Sequence, residues 1–407
     1  MKDISDAVVI GAGPCGSFAA LNLAKMGHDA AVFEEHNQIG VPSHCAGHLS
    51  IKGLKDLGLY PLPKGIVENT FCGANFYSPK GNRFTVRLSS PITCTINRAL
   101  FDKHVAEKAE HAGADFCLGT RVEHLIIQNR SIGGVIAKQE EKIRMIIADI
   151  TINAEGISAR MTKEANLSGP NRRMLVNGVE AEAEKVKDLE LDMVNLFFGK
   201  TYAPGFYAWL IPKGDEKAKI GLAAKTGNPK DLLHKLVLKH PVVSKKLSRA
   251  KISNMNFHPI SLGGSIPQTY SGGFLAVGDA ASQVKPTTGG GVVFGMTCAK
   301  VAAEVAHQAL DTNDTSSESL SVYQESCGKI LSFDVKTMLR MRKTLDAMSD
   351  EKIDYMIRLC TRLGLDKTLQ SVKDIDFQGQ TLLRTLRSPR MLTALGYFLF
   401  AYLSANP

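Results

Sequence analysis

The chain has 407 residues, 44% of them hydrophobic and 22% charged, enough for two to three domains around sizeable cores. That balance excludes a disordered chain, a collagen-like repeat and a disulfide-dense mini-scaffold. The 49 Lys and Arg against 40 Asp and Glu leave a net charge of +9, which favours anionic partners; no recognition motif or basic–aromatic stripe points to nucleic acid. The eight cysteines, at 15, 45, 72, 94, 117, 298, 327 and 360, include no C-x-x-C pair, so no metal site is expected. The chain reaches a predicted strand within a few residues, without a basic-then-apolar leader, and reads as cytoplasmic.

In chain order, the apolar run at 7–10 (AVVI) predicts a strand buried on both faces of a parallel sheet. The turn GAGPCG at 11–16 and a helix over 17–26 follow, with Gly27 as its stop and a second strand at 30–33 ending in Glu34. Gly11 permits the tight turn, Gly13 lets the backbone approach a pyrophosphate, and Gly16 lets helix and strand pack closely. Pro14 and Cys15 complete the turn, and the helix start turns unpaired amides toward phosphate. Glu34 stands about 20 residues on, the spacing of a carboxylate that holds ribose hydroxyls. Together these parts imply dinucleotide binding.

A helix is predicted over 100–112, stopped by Gly113. A strand opens at Arg121 and Val122, where the backbone of Val122 could meet adenine, and a hairpin turn at 130–134 sends the chain back through a strand at 145–152. Alternating segments such as 74–77 and 195–198 predict an antiparallel sheet. Tyr207 and Trp209 alternate along a strand and share one face, either as ordinary sheet core or as flat lining for an apolar chain. Farther on, a strand at 274–277 runs into GDAA and then PTTGGG, followed by a small-residue helix over 292–310. Asp279 can accept from a ribityl hydroxyl, and the amides of Gly290, Gly291 and Val292 can face a phosphate or a ring carbonyl. Cys298 and Cys327 fall on successive predicted helices, and whether they pair stays open. Residues 391–403 (MLTALGYFLFAYL) follow Arg384, Arg387 and Arg390. This run is too short to span a bilayer; it is either a buried terminal helix or one lying in a membrane interface, a contact over 384–403.

GAGPCG with Glu34, Arg98 within INRALFD at 96–102, and GDAA with PTTGGG resemble the flavin monooxygenase-like superfamily that includes para-hydroxybenzoate hydroxylase. The resemblance implies FAD, its adenosine half on the first motif and its ribityl and flavin on the second, with Arg98 among the cofactor contacts. Ala154-Glu155-Gly156 departs from the Asp-Gly common in the hydroxylases. PGFYAWLIPKG at 204–214, with Ile211 for the usual Phe, resembles the aromatic signature of geranylgeranyl reductases. That resemblance implies substrate contacts at Tyr207, Trp209 and Pro212. The loop GVPSHCAGH at 40–48 is similar to that family's cysteine loop, which implies Cys45, Ala46 and Gly47 near the flavin. Cys45 and Tyr207 are the candidate acids, while the flanking His44 and His48 read as solvated.

The expected fold is α/β: a Rossmann-like FAD-binding domain (1–60, 95–165 and 265–310), an inserted antiparallel-sheet substrate domain (61–94 and 166–264) and a helical C-terminal region (311–407). The resemblance implies FAD-dependent reduction of carbon–carbon double bonds in geranylgeranyl chains of membrane-lipid precursors. Electrons would come from an external donor, NAD(P)H or a ferredoxin-like protein. The competing readings are a flavin monooxygenase and an electron-transfer flavoprotein. The second lacks a four-cysteine cluster.

Overall fold

The apolar run at 7–10 becomes the inner part of strand Ile4–Ile10, where Val8 and Val9 are fully buried in an eight-stranded sheet. This strand pairs in parallel with Ala30–Phe33 on one side and Lys142–Asn153 on the other. Asp115–Cys117 and Phe274–Ala276 extend the parallel array outward. Thr120–Gln128 and Ser131–Gln139 form a hairpin hung antiparallel on Lys142–Asn153. That hairpin turns at Asn129 and Arg130, whose φ values are 49° and 65°, and not through 130–134. Two positive-φ residues match the twist of the flanking strands, so residues 131–134 already belong to the return strand. Val8, Phe33, Val135, Ile146 and Phe274 form the core of this Rossmann-like sheet.

The computed structural model describes residues 3–43, 45–214, 216–370, 374–385 and 388–403. Two compact units emerge. The first holds the parallel sheet and comprises residues 1–43, 98–173 and 261–333; the second comprises 44–97, 174–260 and 334–407. Residues 44–60 group with the second unit because strand His48–Ser50 pairs with Thr93–Ile96. The C-terminal residues divide at 333/334: Tyr323 donates to Ala276 O in the first unit, while Asp334 accepts from the Gln380 amide in the second.

The second unit is built on a mixed seven-stranded sheet in the order Lys251–Ser261, Leu175–Glu184, Lys217–Ala224, Tyr207–Gly214, Met193–Phe198, Gly73–Tyr77, Arg83–Arg87. Alternation splits its two faces. Val179, Leu210, Ile220 and Leu222 close on Leu233 and Leu236 of helix Pro229–Lys239. At the far end of the opposite face, Phe84 and Phe76 pack under Ile357 and Leu365, and Phe198 packs with Met348 and Ile353. Ser78 and Asn82 donate to Asp354 at 2.6 and 2.8 Å, tying helix Asp350–Arg362 to the turn between two strands. All eight cysteines are free thiols, with Cys298 hydrogen-bonded to Cys327. No helix among the described residues is long and apolar enough to cross a membrane.

Candidate active site

In the first unit, helix Pro14–Lys25 begins directly after the turn that ends strand Ile4–Ile10. Gly11 has φ +93°, and a Cβ there would lie 2.6 Å from Ala154 O. A Cβ on Gly16 would lie 1.9 Å from Gly11 O, so strand turn and helix touch backbone to backbone. Gly13, the N-cap, is different: a Cβ there would meet nothing within 4 Å. Open space therefore faces the first amides of the helix, which is the form of an anion cradle. Ala12 N–H donates to Glu34 Oε2 at 2.8 Å and His36 N–H to Oε1 at 3.0 Å, fixing the carboxylate at the mouth of the turn.

Cys15 links the two glycine motifs. A Cβ on Gly278 or Gly295 would stand 2.9 or 2.5 Å from its Sγ, so those glycines leave the room the thiol fills. Burial, reinforced by Asp279, pushes the Cys15 thiol well above its ordinary range, which leaves it a packing group. The turn over Gly278–Ala281 is held by a buried chain: Gly278 N–H donates to Gln283, Gln283 to Tyr323, and Tyr323 to Ala276 O, at 2.8, 2.7 and 2.8 Å. Asp279 leans toward the start of helix Val292–Asp311, with Oδ1 3.0 Å from where a Gly291 Cβ would be. Gly290, Gly291 and Val292 stand at that helix start, and the buried Lys285 approaches them, its Nζ 3.2 Å from a Cβ built on Gly290.

Three other first-unit residues have local duties. Arg98 forms a bidentate pair with Asp102 at 3.1 and 2.9 Å. Val122 O accepts from Arg160 Nη2 at 2.9 Å. Glu155 Oε1 accepts from Met161 and Thr162 amides and Oε2 from Ser158 Oγ. The departure from Asp-Gly is therefore a cap on helix Arg160–Glu164.

Cys45, Ala46, Gly47, Tyr207, Trp209 and Pro212 all belong to the second unit. Gly47 N–H donates to Cys45 Sγ at 3.4 Å, and Ala46 packs with Phe71, Ile211 and Trp209. His48 lies in a strand, with Nε2 2.8 Å from Thr93 Oγ1, so it is not a solvated loop residue; His44 and Arg387 lie outside the described residues. On strand Tyr207–Gly214, Tyr207 and Trp209 share a face as expected, whereas Pro212 turns to the opposite face. It pairs with Ala218, which belongs to the core under helix Pro229–Lys239; a strand alternates at every residue, and 212 is an odd step from 207 and 209.

From Trp209 an aromatic row crosses the sheet through Tyr207, Phe198, Phe76 and Phe84, with successive centroids 6.1, 5.7, 6.3 and 6.0 Å apart. Burial pushes the Tyr207 hydroxyl up to about 12, so it keeps its proton through neutral pH. Beside the row lies an ion network that residue order alone did not reveal. Lys219, buried, contacts Glu68 Oε2 at 2.8 Å and donates to Ala46 O at 3.0 Å, while Lys213 joins Glu68 at 3.1 Å and Glu182 at 2.8 Å. Trp209 Nε1 donates to Glu180 Oε2 at 3.3 Å.

A family model for the FAD binding domain matches residues 5–330. Digeranylgeranylglycerophospholipid reductase 2 of Methanopyrus kandleri is 31% identical, covering 88% of this chain and 90% of the relative. Digeranylgeranylglycerophospholipid reductase of Methanocaldococcus jannaschii is 32% identical with the same coverage of each. The chain belongs to the FAD-binding family of these reductases. The fold is shared with a geranylgeranyl bacteriochlorophyll reductase-like protein of Thermoplasma acidophilum, with a TM-score of 0.86 at 23% identity over 97% of this chain and 99% of that one. It extends to a flavin-dependent brominase, with a TM-score of 0.71 at 19% identity over 94% and 93%. FAD is the family's cofactor, and the open cradle before Gly13 fits its pyrophosphate.

Proposed function

We propose that this FAD-dependent oxidoreductase reduces carbon–carbon double bonds in the geranylgeranyl chains of a glycerophospholipid precursor. The observation that carries the reading is identity above 30% over most of the chain with reductases named for that lipid. An aromatic row beginning at Tyr207 and Trp209 supports it, because flat apolar rings suit an isoprenoid tail.

Bound FAD, when reduced, supplies a hydride to the double bond. Gly11, Gly13, Cys15 and Gly16 would hold its pyrophosphate, with Glu34 on the ribose, the backbone of Val122 beside the adenine and Arg98 among the cofactor contacts. Asp279 would hold the ribityl chain, and Gly290, Gly291 and Val292 would turn their amides to phosphate or ring carbonyl. An isolated alkene accepts hydride only if a proton reaches its other carbon, so each turnover adds two hydrogens and uses one proton. Cys45 and Tyr207 are the candidate donors, and Trp209 holds the chain. NAD(P)H or a ferredoxin-like protein would restore the flavin.

Anaerobic incubation of the reduced holoprotein with a geranylgeranyl phospholipid tests this directly. Mass gains in steps of two hydrogens are expected. Lipid unchanged, with the flavin reoxidised only when air is admitted, would overturn the proposal. Asp279→Ala is expected to retain FAD roughly tenfold less tightly, through loss of a charged acceptor. Flavin absorbance after gel filtration reads this out, and unchanged occupancy would remove Asp279 from the cofactor site.

We further infer that helix Pro389–Leu403 meets the membrane that carries the substrate. Met391, Ala394, Tyr397 and Phe398 pack inward, whereas Leu392, Leu399 and Phe400 are 55%, 60% and 64% exposed and Arg384 and Arg390 stand exposed nearby. Exposed apolar side chains preceded by arginines suit an anionic interface. Phe400→Ser should weaken binding to anionic vesicles roughly tenfold in flotation assays; equal flotation would exclude this helix as the contact.

A further inference from the structure

Trp209, Gly221 and Glu180 occupy one register row on three neighbouring strands: Trp209 pairs with Gly221, and Gly221 with Glu180. The indole lies across the middle strand. A Cβ on Gly221 would stand 2.5 Å from Trp209 Cζ2 and 2.6 Å from Cε2, so a glycine within this strand is what gives the ring its path. Beyond Gly221 the indole nitrogen meets Glu180 Oε2 at 3.3 Å. An indole N–H can only donate, and a largely buried one needs an acceptor.

We propose that Glu180 is a positioning residue, holding the Trp209 indole across Gly221 so that the ring forms a fixed wall of the surface that receives the isoprenoid chain. The inference rests on the substrate reading above for what the wall faces, but not for the contact itself. The groups facing Glu180 are Lys219 from the middle strand, Glu182 from its own strand, Glu68 from strand Val67–Phe71 and the indole N–H. Burial dominates, and with Glu68 and Glu182 it outweighs Lys219 and the indole, raising Glu180 to about 7. As pH rises through that value, a neutral acceptor becomes a carboxylate, which binds the N–H more strongly. The wall therefore stiffens as protons leave.

Trp209 is the only tryptophan, so intrinsic emission of the holoprotein reports this ring alone. The wild type should show a pH titration of emission with a midpoint near 7. Glu180→Gln, which keeps an acceptor oxygen and cannot ionise, should abolish that titration yet hold KM for the lipid within about twofold. Glu180→Leu should shift the emission and raise KM roughly tenfold with kcat little changed. A wild-type titration persisting in Glu180→Gln, or no titration in the wild type, would overturn the proposal. If Glu180→Leu does not fold, as judged by lost flavin content, the glutamine variant alone decides. Should the emission behave as expected while the wild type reduces no geranylgeranyl lipid, the substrate reading fails and the Glu180–Trp209 assignment stands.

Discussion

Gly16→Ala should purify colourless and melt early, whereas Gly13→Ala should melt like the wild type and lose only its flavin. The methyl group at 16 would lie 1.9 Å from Gly11 O, a backbone atom that cannot rotate aside. Turn and helix must separate, at a cost of about 3 kcal/mol, which is roughly a hundredfold in FAD affinity if binding bears it. At Gly13 the backbone has φ −65° and ψ 179°, open to any residue, and the methyl meets no protein atom within 4 Å. It would stand only in the space assigned to the pyrophosphate. Flavin absorbance per chain and thermal melting of the apoprotein separate the two effects. Full occupancy in Gly13→Ala would show that the pyrophosphate lies elsewhere.

Lys219→Met should destabilise the second unit by about 2 kcal/mol, since it leaves Glu68 with Lys213 alone and takes a charged donor from two backbone carbonyls. Its ammonium serves Glu68 and the carbonyls of Ala46 and Ile96 together, so the cysteine loop loses its anchor with the charge. Loss should appear as a lower melting transition and faster proteolysis near residue 46. The deficit should also grow with pH. Glu180 is raised in the folded chain from 4.5 to about 7, and Lys219 opposes that rise. A raised carboxyl contributes stability in full below about 4.5, and the contribution is lost as pH rises through about 7. Without Lys219 the rise is greater and the loss larger, so the variant should fall further behind at pH 8 than at pH 5. A pH-independent difference would argue against coupling between the two groups.

The cofactor half was readable because its physics is local. A strand, three glycines, a helix start and an acid at the next strand end lie within 34 residues, and GDAA with PTTGGG repeats the logic. The other half is made by pairing across distant segments. In GVEAEAE at 178–184 the alternating glutamates look like a solvated strand face, and nothing in their order shows that Gly221 and Trp209 occupy the same row as Glu180. Phe76, Phe84 and Phe198 likewise sit in three separate strands. Pro212 was a different matter, since odd-even counting along its own strand already separates it from Tyr207 and Trp209. At Glu155 the sequence showed only a departure from Asp-Gly, because its four partners, Asn153, Ser158 and the amides of Met161 and Thr162, lie too close in the chain to register as a motif.

Strand Lys142–Asn153 is flanked by Ile4–Ile10 on one edge and Phe274–Ala276 on the other. Ser131–Gln139 covers that second edge over 142–147, so during synthesis only Thr151–Asn153 stays bare there until residue 276 has left the ribosome, and the pocket around Cys15 waits for Gly295. A nascent chain stalled between those points would carry a short bare edge at Thr151–Asn153, where another chain can pair. Completion of that sheet edge is therefore a late event of synthesis, set by a strand far downstream of the one it covers.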